Sequence, residues 1–181
     1  MVRVRVLALD TSTPTTTCAL LEDESVVWEK SLPPPQKAGD VLPAALGDPA
    51  AFDAIAVGIG PGSFTGLRVG LAAAKALAYA RKLPIAGASS LQAIALDQPG
   101  LVHAATEARK GELFVQPFRD GQPDGPVQIV MAADFDKKPL LIPPPARNVA
   151  RLCLPRLRGA SYDMQACFTL APDYVQGFPL K

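Results

Sequence analysis

The 181-residue chain has a single histidine, His103. Metal sites of the HxxxH or HExxH type need two, which excludes zinc-protease chemistry and metal-dependent transfer built on such a pair by this chain alone. The three cysteines, Cys18, Cys153 and Cys167, are odd in number and nowhere form CxxC. They read as buried, reduced thiols of a cytosolic protein. No stretch of about 18 apolar residues is present to cross a membrane. The amino-terminal Met1-Val2-Arg3-Val4-Arg5 lacks the uncharged apolar run of a signal peptide. A charge excess is missing too: the formal net charge is +1, so a strong electrostatic hold on nucleic acid is not expected from this chain alone. A cytoplasmic protein without a membrane partner is the resulting expectation.

What is present is apolar: 49% of residues are hydrophobic, enough for a sizeable core. Val2 to Asp10, Thr15 to Leu21 and Ser25 to Ser31 read as three strands of an antiparallel meander, separated by short polar breaks. Pro33-Pro34-Pro35 stops regular structure, and Ala38 to Leu46 carries the pattern of a short helix. Ala54 to Gly58 is a buried strand, Ser63 to Lys82 a helix and Pro84 to Ala88 a further strand. Ser89 caps a helix running to about Leu96. The order β-β-β-α-β-α-β-α is that of the ribonuclease H-like core, the repeating half of the actin-like ATPase superfamily. Right-handed crossovers make the later strands parallel. After Pro99-Gly100, strands are expected at Leu101 to Glu107, Glu112 to Phe118 and Val127 to Met131, and one modest helix around Asn148 to Leu154. The predicted organisation is an α/β chain: residues 1–99 as the ribonuclease H-like domain and 100–181 as a reduced second lobe.

The candidate chemistry sits at three places. Asp10 ends the first strand, where a carboxylate either faces a cleft and holds a hydrated metal or caps the turn that follows. Asp10-Thr11-Ser12-Thr13 has the form of a phosphate-binding hairpin with Ser12 where glycine normally lets the backbone approach phosphate, which makes it a degenerate one. Few acidic residues stand near it, against the several converging carboxylates of a two-metal nuclease. The second place is Gly58-Ile59-Gly60-Pro61-Gly62-Ser63. It holds no base, no metal ligand and no P-loop lysine, and Pro61 to Thr65 breaks the G-x-S-x-G pattern of a nucleophile elbow. Gly60 and Gly62 supply positive φ or close approach, and Ser63 or Thr65 caps the helix. The third is the charged turn Glu107 to Glu112, either a solvated hairpin or, through Glu107 and Arg109, the wall of a cleft between the lobes.

The helix from Ser63 to Lys82 has more apolar surface than one sheet face covers. Arg68, Lys75, Tyr79 and Lys82 fall within about 60° of one another at 100° per residue, and almost everything else is apolar or glycine. Ser63, Phe64, Gly66, Leu67, Gly70, Ala73, Ala74 and Leu77 are therefore expected to form a contact surface. What covers it is either the second lobe or a partner chain, and the small size of that lobe favours the partner.

Leu7-Ala8-Leu9-Asp10-Thr11-Ser12-Thr13, Asp53 to Gly58, Gly60-Pro61-Gly62-Ser63-Phe64-Thr65-Gly66-Leu67-Arg68, Gly87 to Leu91 and Glu107-Ala108-Arg109-Lys110-Gly111-Glu112 together resemble the bacterial TsaB (YeaZ) family over about residues 4 to 118. Pro172-Asp173-Tyr174-Val175 resembles its C-terminal motif. The resemblance implies an actin-like ATPase-superfamily fold and a part in making N6-threonylcarbamoyladenosine at position 37 of tRNAs that read codons beginning with A. It implies a non-catalytic scaffold that pairs with a TsaD-type paralogue and is joined by the ATPase TsaE. Alone, the chain would be a homodimer, with tRNA met through the complex. No cofactor is expected to bind this chain tightly, and ATP or ADP would sit at a complex interface. Lys37-Ala38-Gly39-Asp40 and Gln176 depart from the family pattern. The alternatives are a stand-alone ATP-dependent phosphotransferase and a glycopeptidase of the same superfamily.

Overall fold

The structure, a computed structural model, describes residues 3–34, Gly39 and 51–175. Apart from Gly39, the expected short helix at Ala38 to Leu46 lies outside those residues, as does the departure at Gln176.

The first sheet holds β1 (Arg5–Asp10), β2 (Thr16–Glu22), β3 (Ser25–Leu32), β4 (Ala54–Gly58) and β5 (Ile85–Ala88) in the order β3-β2-β1-β4-β5. β1, β2 and β3 pair antiparallel, while β1–β4 and β4–β5 are parallel, as expected for the later strands. This is the ribonuclease H-like arrangement anticipated from the order of elements. β1 and β4 are buried on both faces, which explains their unbroken apolar runs.

Strand alternation sorts two cores. Leu7, Leu9, Cys18, Leu20, Ile55 and Val57 face one way and pack on α1 (Phe64–Arg81) through Leu71, Ala74 and Ala78. Val6, Ala8, Ala19, Leu21, Ala54, Ala56, Ala86 and Ala88 face the other way. That side is rich in alanine, so a helix can lie close against it. The helix that does so is α3 (Ala146–Leu157), through Ala146, Val149, Ala150, Cys153, Leu154 and Leu157.

The second segment builds a smaller sheet from β6 (Leu101–Glu107), β7 (Glu112–Arg119), β8 (Gln122–Pro123) and β9 (Gln128–Met131). One face of it packs on α2 (Ser90–Ala95), with Leu91, Ile94 and Ala95 meeting Ala104, Phe114 and Phe118. A division after residue 99 therefore separates the two sheets but cuts through both cores. The modest helix expected around Asn148 to Leu154 belongs to the first sheet, not to the second lobe. An ionic clasp fixes it there: Arg147 pairs with Glu29 of β3 at 2.7 Å and with Asp97 beyond α2 at 3.4 Å, and Asn148 Nδ2 donates to the Ala93 carbonyl at 2.9 Å. A further helix, α4 (Met164–Thr169), lies against α1 and is capped by Asp163, whose carboxylate accepts from the Gln165 and Ala166 amides.

Candidate functional site

β1, the glycine turn after β4 and the start of α2 converge on Asp10. Its side chain is fully buried. Oδ1 accepts from the Ser12 amide at 2.8 Å and the Ser12 hydroxyl at 2.6 Å, and Oδ2 accepts from Ser90 Oγ at 2.6 Å. Ser90 Oγ in turn accepts from the Gly60 amide at 3.1 Å, and the Ser90 amide donates to the Gly60 carbonyl at 2.8 Å. Of the two roles open to Asp10, the structure shows the turn cap. Burial pushes its carboxyl above the ordinary value, against the opposing pull of the Ser12 and Ser90 hydrogen bonds.

The glycines make this packing possible. A Cβ on Gly58 would collide with Asp10 Oδ2, and one on Gly62 would collide with the Ser12 carbonyl. Gly60 has φ of 98°, a conformation side chains rarely adopt. The Ser63 amide donates to the Ser12 carbonyl at 2.7 Å, while Ser63 Oγ accepts from the Gly66 amide at 3.2 Å and is the helix cap. Thr11 and Ser12 are buried and Thr13 is half-buried. In this hairpin the Ser12 amide is taken by Asp10 Oδ1, the Ser12 hydroxyl is turned onto the same oxygen, and the Thr11 hydroxyl is turned onto α1. Among the described residues, no three His, Cys, Asp or Glu side chains gather as a metal-ligand set.

The predicted contact surface on α1 divides in two, and part of it is corrected. Gly66, Leu67, Gly70 and Ala74 turn inward: Leu67, Gly70 and Ala74 are buried, and a Cβ on Gly66 or Gly70 would collide with Thr11. Thr11 Oγ1 also donates to the Gly66 carbonyl at 2.7 Å. The small residues thus serve the close approach of α1 to the Asp10 hairpin rather than a partner. Ala73 and Leu77 pack partly on the core below. Ser63 and Phe64 are exposed, together with Thr65, Arg68, Ala72, Ala76 and Tyr79, which the helical wheel places on the outer side. One flank of this outer side is covered by the chain itself. Phe64 stacks on Tyr174 with ring centroids 5.5 Å apart, Tyr79 meets Phe168 at 5.9 Å, and Lys75 Nζ donates to the Phe168 carbonyl at 2.9 Å.

Glu107 and Arg109 are both exposed and share an open cavity of 540 Å³ beside the β6–β7 turn. Glu107 also borders a cavity of 220 Å³ with Thr13, Pro14 and Thr15, so it faces the tip of the Asp10 hairpin across the lobes. His103 is a surface strand histidine. Lys137 Nζ donates to its Nε2 at 3.3 Å, and burial, then Lys137, lowers its pKa. Sequence reasoning missed Ser90 and Thr106, whose Oγ1 donates to the Pro61 carbonyl at 2.9 Å and ties the glycine turn to the second sheet. Ser90 was hidden beside the more obvious cap, Ser89.

A family model described as TsaD, tRNA N6-adenosine threonylcarbamoyltransferase, matches residues 40–152. The TsaB protein of Escherichia coli, named for tRNA threonylcarbamoyladenosine biosynthesis, is 35% identical over 126 residues, covering 61% of this chain and 53% of that protein. The Bacillus subtilis TsaB is 33% identical over 145 residues, covering 72% and 63%. An uncharacterized Mycobacterium tuberculosis protein is 37% identical over 148 residues, covering 75% and 69%. In three dimensions the chain is similar to YeaZ from Pseudomonas aeruginosa, with a TM-score of 0.70, 24% identity and coverage of 95% of this chain and 100% of that one.

Proposed function

The chain belongs to the TsaB (YeaZ) family within the TsaD-type domain family, and from that premise we infer that it is a non-catalytic subunit in tRNA threonylcarbamoyladenosine biosynthesis. It pairs in the cytoplasm with a TsaD-type paralogue that carries the chemistry, is joined by a TsaE-type ATPase, and self-associates when alone. ATP or ADP binds at the interface of the assembly, and tRNA is met through it. The chain spans 53% and 63% of the two TsaB proteins compared, so the division of labour is argued from its own residues.

The observation that carries the reading is the exposed strip Thr65, Ala72 and Ala76 on α1, flanked by half-buried Val69. It is small, uncharged and borne by a rigid 18-residue helix, which suits helix-on-helix contact with another chain. The closed Asp10 joint supports the non-catalytic half of the reading. A phosphotransferase needs that carboxylate at a cleft, and here it has 0% exposure.

Light scattering of the full chain mixed with a TsaD-type partner tests the pairing. Ala72→Arg and Ala76→Arg are each expected to weaken it at least about tenfold while the melting temperature stays within about 2 °C, since surface substitutions cost little stability. Undiminished pairing in both variants would overturn the assignment of this strip.

A further inference from the structure

Beside that strip, α1 carries a ridge of different chemistry. Along its length of about 27 Å lie Phe64, Arg68, Lys75 and Tyr79, with Lys82 at its C-cap and Phe168 of α4 alongside. The rings lean on one another and on Tyr174 yet keep open surface: Phe64 is 48% exposed, Tyr79 47% and Phe168 63%. Cations alternate with them. Arg68 lies 5.3 Å from the Phe64 ring centre, Lys82 lies 4.1 Å from that of Tyr79, and Lys75 reaches the Phe168 carbonyl.

We propose that this ridge binds single-stranded RNA, with unpaired bases stacking on Tyr79 and Phe168 and with Lys75, Lys82 and Arg68 meeting the phosphates. Half-open aromatic faces interleaved with cations are the recurring platform for unpaired nucleotides, because every base has a π-face and every linkage a charge. Three observations favour RNA over a protein partner here. Helix α1 contains no acidic residue. Arg68, Lys75 and Lys82 enter none of the ion pairs found among the described residues, where they meet a carbonyl and ring faces instead. Lysine is depleted at protein–protein interface cores, and two of the three cations are lysine. Of the carboxylates on the neighbouring segment, Asp163 is occupied capping α4, and Asp173 sits beside Tyr174 at the Phe64 end. The Tyr79–Phe168 end is therefore the centre of the site. The choice of RNA over DNA rests on the tRNA reading above. With a net charge of only +1, the chain binds weakly and the ridge adds to what a partner supplies.

The test is fluorescence anisotropy of the full-length chain with a labelled, unstructured RNA of about 12 nucleotides, alone and annealed to its complement, at about 50 and 200 mM potassium chloride. Micromolar binding to the single strand, weaker binding to the duplex and loss of affinity with salt are expected. Tyr79→Ala combined with Phe168→Ala should lower affinity about tenfold, the loss of roughly one stacked base. Arg68→Glu combined with Lys82→Glu should reduce the salt dependence by about one to two released ions. Both double variants should melt like the parent and pair normally with the TsaD-type partner. Because both pairs are exposed, misfolding of one leaves the other to decide. No single-strand binding at about 100 µM chain, equal binding to duplex, or affinity unchanged in the ring variant would each overturn the proposal. Loss of partner pairing with RNA binding intact would overturn it too, assigning the ridge to a protein interface. The Ala72 and Ala76 variants report on the scaffold reading separately.

Discussion

Ser90 Oγ stands 2.6 Å from Asp10 Oδ2 and donates to it, joining the first residue of α2 to the last residue of β1. The same oxygen accepts from the Gly60 amide, so one hydroxyl links three segments that are 30 to 80 residues apart in the chain. The joint is structural, and its removal should be felt in stability.

Ser90→Ala leaves the buried Asp10 carboxylate and the Gly60 amide each short of a partner. Stranding a buried polar group costs about 1–3 kcal/mol. In a domain of this size that corresponds to a fall of roughly 3–10 °C in melting temperature. A variant melting within 1 °C of the parent, by calorimetry near about pH 7, would show that the joint carries no load.

The same joint sets a pH dependence. Asp10 is held above its ordinary value of 3.8, so the folded state keeps this proton after the unfolded chain has lost its own. Stability from this group is therefore greatest below 3.8 and declines as pH rises from there through the folded-state value. Asp10→Asn removes the titration. The difference in unfolding free energy, parent minus variant, should fall with rising pH above about 4 in urea titrations; a flat difference would contradict the assignment.

Gly70→Leu should unfold the chain rather than selectively uncouple it from a partner. Any side chain there strikes Thr11, and overpacking of this kind costs about 1–3 kcal/mol or more. Circular dichroism melts compared with Ala72→Arg make the distinction: the glycine variant loses stability, the alanine variant keeps it.

Residues 1–99 expressed alone should fail to fold. Without α3, the face formed by Val6, Ala8, Leu21, Ala54 and Ala56 is exposed to water. Dye binding to exposed apolar surface and a non-cooperative melt are expected. A cooperative transition would show that the two cores are independent.

Cys18 and Cys153 are buried, and burial pushes both thiols up to about 12. Neither forms appreciable thiolate at neutral pH, so alkylation at these two positions should be at least about a hundredfold slower in the native than in the denatured chain. Mass spectrometry after a timed reaction with iodoacetamide reads this directly.

Much of this architecture was legible in the sequence because local signals and burial agree. The apolar run of β1, the glycine turn before Ser63 and the cap at Ser89 each point to the element found there. The face of α1 was misread at Gly66, Leu67, Gly70 and Ala74. Small residues at helical spacing announce close approach, but not whether the approaching backbone is another chain or, as here, Thr11 of the same one. Asp10 held both of its readings open because capping and ligand contact use the same oxygens; burial decided between them. The seat of α3 was beyond reach, since it depends on an alanine-rich sheet face built from distant strands between Val6 and Ala88. Helix α4 had one usable signal, Asp163 as a cap, in a stretch otherwise dominated by proline and polar residues.

That late helix also bears on how the protein is made. During synthesis, β1, β2 and β4 leave the ribosome well before the α3 residues, Ala146 to Leu157, that pack on their alanine-rich side. The nascent sheet is a sticky intermediate for most of translation, and chaperone holding or slowed elongation over that interval would protect it.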